Sequence, residues 1–94
     1  NNIFFMSTKI YIGNLSFSTT EETLQNKFES FGTIESVSII RDKNTQMSKG
    51  FGFVEMEDEI AANKAVSSLH GTMIDSRKVR VNIARDIQNR QKRD

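Results

Sequence analysis

Lys49-Gly50-Phe51-Gly52-Phe53-Val54-Glu55-Met56 is the stretch from which the rest of the chain is read. Strand side chains alternate between faces, so Phe51, Phe53 and Glu55 share one side and Gly52, Val54 and Met56 the other. The second set is small and aliphatic and suits packing against helices. The first leaves two phenylalanines side by side on the outer face, led by Lys49. Aromatic rings exposed on a sheet mark a surface on which something stacks. A cation beside flat apolar rings supplies charge for phosphates and platforms for bases, the chemistry of single-stranded nucleic acid binding.

The 94 residues suffice for one domain with one core. With no cysteine there is no disulfide framework and no thiolate metal site; no metal or other cofactor is expected. No apolar run reaches the length of a membrane span. Ile3, Phe4 and Phe5 are too short a group for a signal core and lack its basic start, so a cytoplasmic or nuclear monomer is expected. A net charge of +1 argues against binding nucleic acid by charge alone. The distribution matters more. Glu21, Glu22, Glu29, Asp58 and Glu59 fall in or at the start of two helical patterns, where acids also suit the helix dipole. Lys9, Lys43, Lys49, Lys78 and Arg80 fall on or beside strand patterns, so the sheet side should be the more positive.

Residues 1–8 read as a flexible lead-in, in which Met6 is a candidate start and Asn1 to Phe5 an upstream addition. Lys9 to Gly13 alternates as a strand, with Ile10 and Ile12 inward and Lys9 and Tyr11 outward. Leu15 and Phe17 are expected to fold over the edge of the core. Thr19 and Glu22 have capping-box spacing, and Leu24, Phe28 and Phe31 lie on one face of the helix that follows to about Ser30. Gly32 is the expected stop. Ile34 to Arg41 is a second strand, with Val37 and Ile39 inward and Ser38 and Ile40 outward. Residues 42–48 are a polar loop, and the octamer strand runs from about Gly50 to Glu55. Asp58 caps a second helix with an apolar stripe of Ala62, Ala65, Val66 and Leu69, ended by Gly71. Met73 to Arg77 reads as a connector. Val79, Val81 and Ile83 alternate with Arg80 and Asn82 in a fourth strand. Residues 85–94 form a basic polar tail. The order βαββαβ predicts an α+β, ferredoxin-like domain over residues 9–84: a four-stranded antiparallel sheet with both helices on one face. Strands one and three then lie centrally, which brings Tyr11, Phe51 and Phe53 together.

The octamer resembles the signature of the RNA-recognition motif family, Lys/Arg-Gly-Phe/Tyr-Gly/Ala-Phe-Val-x-Phe/Tyr, at seven of eight positions. Met56 departs, on the inward face. Ile10-Tyr11-Ile12-Gly13-Asn14-Leu15 resembles the family's second signature, a hexamer with an aromatic at its second place. The loop resembles the family's Asp-x-x-Thr-Gly through Asp42 and Thr45, but Gln46 replaces the glycine. Within the family, Gly50 to Met56 is similar to bacterial RNA-binding proteins and to the head domain of glycine-rich RNA-binding proteins. The resemblance covers residues 9–84. It implies that Tyr11 and Phe53 each stack on a base, that Phe51 lies against the sugars between them, and that Lys49 pairs with phosphate. Lys9, Ile40, Glu55, Arg80 and Asn82 on the same face are further candidates for RNA contact, Glu55 as an acceptor for an exocyclic amine. Arg85 and the other tail bases, Arg90, Lys92 and Arg93, are candidates for phosphate, although hydration alone would explain a basic tail.

Single-stranded RNA is therefore the expected partner. Single-stranded DNA is the nearest rival, because stacking alone does not distinguish it and the 2′-hydroxyl contacts that would are not fixed by the sequence. A protein partner on the helix face is a second alternative. Catalysis has little to stand on: His70 is the one histidine, placed at a helix end to meet terminal carbonyls, and no phosphate loop of the P-loop type is present.

Overall fold

Alternating aliphatic residues need a cover, and the computed structural model, which describes residues 7–84, shows what provides it. The elements are β1 (Thr8–Gly13), α1 (Glu21–Glu29), β2 (Ile34–Arg41), β3 (Ser48–Met56), α2 (Glu59–Leu69), β4 (Met73–Ile74), β5 (Arg77–Lys78) and β6 (Arg80–Ile83). The main sheet has the order β2-β3-β1-β6 with antiparallel neighbours, and β4 and β5 pair separately. This is the expected α+β, ferredoxin-like architecture with β1 and β3 central. Ile10, Ile12, Ile39, Val54, Met56 and Val81 from the sheet meet Leu24 and Phe28 of α1 and Ala61, Ala62 and Ala65 of α2 in one buried cluster. Both helices thus cover the same face of the sheet. Each large aliphatic side chain so buried contributes about 1.5–3 kcal/mol. The alanines let α2 come close: a Cβ on Gly32 would lie 2.7 Å from the Ala61 methyl.

Several local readings change. The cap of α1 is Thr20, whose hydroxyl accepts from the Thr23 amide. Thr19 is instead 1% exposed, and its hydroxyl donates to Asp75 Oδ2 at 2.7 Å, tying the start of α1 to the β4–β5 turn. The helix ends at Glu29 with Ser30 as its cap, before Gly32. β1 and β3 are longer than expected, beginning at Thr8 and Ser48. The expected connector at Met73 to Arg77 contains a hairpin, with Asp75 and Ser76 both at positive φ, 51° and 69°, as a two-residue turn of type I′ requires. Asp58 does cap α2, accepting from the Ala61 amide, and Gly71 follows at φ 83°. The His70 ring does not meet helix carbonyls. Its Nδ1 accepts the Val81 amide at 3.0 Å, joining the end of α2 to β6.

Leu15 is buried as expected, but Phe17 is 68% exposed and lies outside the core. Gln46 adopts φ 65°, the left-handed conformation that suits glycine. The turn before β3 therefore keeps its shape without one. Asp42 Oδ1 accepts the amides of Asn44 and Thr45, and the Gln46 amide donates to the Asp42 carbonyl.

Candidate nucleic-acid interface

Two strands with a period of two build the outer face row by row. β1 and β3 pair Lys9 with Glu55, Tyr11 with Phe53, and Gly13 with Phe51. β6 adds Asn82 beside Tyr11 and Arg80 beside Gly13. β2 adds Ser38 beside Phe53 and Ser36 beside Glu55. The middle row is therefore Asn82, Tyr11, Phe53 and Ser38. The row towards the β2–β3 turn is Arg80, Gly13 and Phe51. The opposite row is Lys9, Glu55 and Ser36, and the Ala84 amide donates to the Lys9 carbonyl at its end.

Tyr11, Phe51 and Phe53 form a triangle, with ring centroids 6.0 Å apart for Tyr11–Phe51, 5.9 Å for Tyr11–Phe53 and 6.1 Å for Phe51–Phe53. The two contacts of Phe53 are edge-to-face, at 62° and 89°, which suits the ring quadrupoles and holds the rings in place. All three rings are half-buried. The Tyr11 ring lies over Gly13: its Cε2 and Cζ stand 2.8 Å from where a Cβ on that glycine would be. Gly13 is the seat of the ring, a role that sequence reasoning missed; the signal available was an aromatic two residues before a glycine on the same face.

The charged groups are placed unequally. Lys9 Nζ lies 5.1 Å from the centroid of Phe53, within cation–π range. Glu55 accepts a hydrogen bond from the Ser36 hydroxyl at 3.0 Å, which occupies one carboxylate oxygen. Arg80 and Asn82 are exposed in line with the rings. Lys49 is exposed at an irregularity in the β2–β3 ladder. Ile39 pairs with Gly52 and Arg41 with Ser48, so Lys49, Gly50 and Phe51 stand against Ile40 alone. Gly50 accommodates this with φ 88°. Ile40, counted on from Ser38, is half-buried at the end of the ring rows. Gly52 permits close strand approach, since a Cβ there would lie 3.1 Å from Ile39 Cα. Arg85, Arg90, Lys92 and Arg93 lie outside the described residues.

Behind the face, Arg41 Nη2 pairs with Glu21 Oε1 at 3.2 Å, linking β2 to α1. Burial raises the Glu21 carboxyl, but hydrogen bonds from its own amide and from Arg41, the Arg41 charge and the Ile39 amide outweigh it, and the net shift is downward. Among the described residues, no group of three His, Asp or Glu could hold a metal ion, and no helix is long and apolar enough to cross a membrane.

A face of this construction, open rings on central strands with polar groups around them, suits the splayed bases of a single strand. Comparison with known proteins agrees. "Glycine-rich RNA-binding protein 4, mitochondrial" of Arabidopsis thaliana is 39% identical over 80 residues, 85% of this chain and 59% of that protein. The chain spans about half the length of the curated relatives it matches. The crystal structure of RNA-binding protein PG1 superposes with a TM-score of 0.83 at 40% identity, covering 85% of this chain and 96% of that one. The Sxl-lethal protein/RNA complex superposes with a TM-score of 0.77 at 30% identity, covering 82% of this chain and 47% of that one. The profile of the RNA recognition motif matches residues 10–80, and the chain belongs to that family of single-stranded RNA-binding modules.

Proposed function

We propose that residues 9–84 act as a non-catalytic module that lays two to four nucleotides of single-stranded RNA across the open sheet. The ring triangle of Tyr11, Phe51 and Phe53 carries this reading. Tyr11 and Phe53 each stack on a base, and Phe51 lies against the sugar between them. Lys49 takes phosphate at the β2–β3 end. Lys9 backs Phe53 and adds positive charge at the other end. Arg80 and Asn82, exposed in the ring rows, read base edges, and Glu55 accepts from an exocyclic amine with the oxygen that Ser36 leaves free. Ile40 extends the apolar floor beside Phe51, and Arg85 adds phosphate contact beyond β6. Each stacked base contributes ~1–3 kcal/mol. Two stacks with one or two phosphate contacts, less the cost of ordering the strand, correspond to a dissociation constant on the order of micromolar.

The module is proposed to act as a monomer in RNA regulation or processing. The cytoplasm and nucleus are joined as candidate compartments by the mitochondrion, which the names of two relatives contain. A protein partner on the helix side is favoured by one observation: Ile60 is exposed there beside half-buried Phe31, in a shallow hollow with Asn63, Lys64, Ser67 and Ser68.

The test is a titration of short random RNA and DNA pools at two salt concentrations, with wild type and a Tyr11→Ala/Phe53→Ala variant. Loss of two stacks lowers RNA affinity by at least about 30-fold while the variant stays folded. Equal affinity for both pools would broaden the ligand to single-stranded DNA. Salt-dependent binding unaffected by the substitutions would place RNA elsewhere, and no binding by either protein would favour a protein partner.

A further inference from the structure

Phe17 is the large apolar side chain that was expected to fold over the edge of the core and that the structure leaves in solvent. It sits at the tip of a short turn whose two ends are fixed. On one side Leu15 is buried and its amide donates to the Gly50 carbonyl at 2.9 Å. On the other, Thr19 is buried and bonded to Asp75. Within the turn the Thr19 amide donates to the Ser16 carbonyl, and the Ser18 amide to the Ser16 hydroxyl. The ring is therefore presented by a braced loop. Its Cε1 lies 3.5 Å from the position of a Cβ on Gly50, at the bulge between Lys49 and the ring-bearing Phe51. Met47, 58% exposed, ends the neighbouring turn. An exposed ring on a fixed support loses little freedom on binding, and one with a lysine next to the residue it rests against is equipped for a base and its phosphate.

We propose that Phe17 is an additional base-stacking position, which continues the RNA path off the sheet past Phe51 and Lys49 to at least one nucleotide more than the sheet holds. The proposal rests on the reading that RNA lies across Tyr11 and Phe53, and the experiment separates the two. Random single-stranded RNA pools of three and eight nucleotides are titrated against wild type, Phe17→Ala, Phe17→Trp and Tyr11→Ala/Phe53→Ala, with folding checked by denaturation. The chain has no tryptophan, so indole emission from the Phe17→Trp variant reports on this position alone.

The expected result is that Phe17→Ala weakens binding of the eight-nucleotide pool by about 5- to 150-fold, the range of one stacked base, and leaves the three-nucleotide pool unchanged. Phe17→Trp keeps its affinity and is quenched by the longer pool. Wild-type binding of the longer pool by Phe17→Ala, alongside a loss in Tyr11→Ala/Phe53→Ala, overturns the proposal and leaves the sheet reading standing. Equal weakening on both lengths overturns it too, because Phe17 then acts through the sheet. Undiminished binding by Tyr11→Ala/Phe53→Ala removes the sheet reading, and this proposal with it.

Discussion

Gly13 is where a missing side chain does the most for the surface above it. The Tyr11 ring fills the space that a Cβ would take, and φ at Gly13 is not in the left-handed range, so alanine is tolerated by the backbone there. What must yield is the far end of a flexible side chain. Gly13→Ala is expected to lower RNA affinity by about 5- to 150-fold, the loss of one stack, while changing stability by less than about 1 kcal/mol; paired titration and denaturation measure the two. Met56 gives the opposite case. It is 0% exposed on the inward face of β3, where a flexible thioether fills the place the family gives to an aromatic. Met56→Ala leaves a cavity and should cost about 2–5 kcal/mol by chemical denaturation. A loss below about 1 kcal/mol would contradict its burial.

Elements were legible where a periodic signal had no competitor. The alternation in β1, β3 and β6 and the stripe of α2 are strong, so inward and outward sets came out as read. Single-residue features were less so. Thr19 and Thr20 are both able to cap; what separates them is the Asp75 carboxylate, 56 residues on in the chain, which takes the Thr19 hydroxyl. The β4–β5 hairpin turns on Asp75-Ser76, which lacks the glycine that usually announces such a turn. Phe17 shares the parity of Leu15 in the sequence, but residues 16–19 close a turn in which the Thr19 amide donates to the Ser16 carbonyl, so no alternation carries past Leu15. The ring triangle was legible because topology and parity agree, whereas the pairing of Glu55 with Ser36 depends on rotamers that no pattern records. The turn at Gln46 is held by several bonds: Asp42 accepts two amides, Arg41 Nη1 donates to the Gln46 carbonyl at 3.4 Å, and the exposed Gln46 Nε2 donates to the Lys43 carbonyl at 3.3 Å. The left-handed backbone of Gln46 carries a cost that glycine does not. Gln46→Gly should therefore raise stability by about 0.5–1 kcal/mol, read from the denaturation midpoint, with RNA affinity unchanged.

Across the whole molecule, the Glu21–Arg41 pair fastens the first helix to the outer strand of the sheet. The folded carboxyl titrates below its ordinary value, so the folded state binds this proton less readily than the unfolded chain. The pair's contribution is complete above the unfolded carboxylate range and is lost as pH falls through the lowered folded value. Stability measured from pH 7 down to pH 3 should decline, and Arg41→Gln should flatten that decline. The effect is small, because both partners are partly exposed; an identical acid profile for the variant would remove the pair from the account.

The ring triangle has a consequence away from any ligand. With a net charge of +1, two copies repel each other weakly, and each presents a cluster of partly exposed aromatic rings to the other. The free protein is thus expected to be colloidally sticky: light scattering should show attraction between molecules that grows with concentration. A short oligonucleotide covers the rings and adds negative charge, and it should turn that attraction into repulsion.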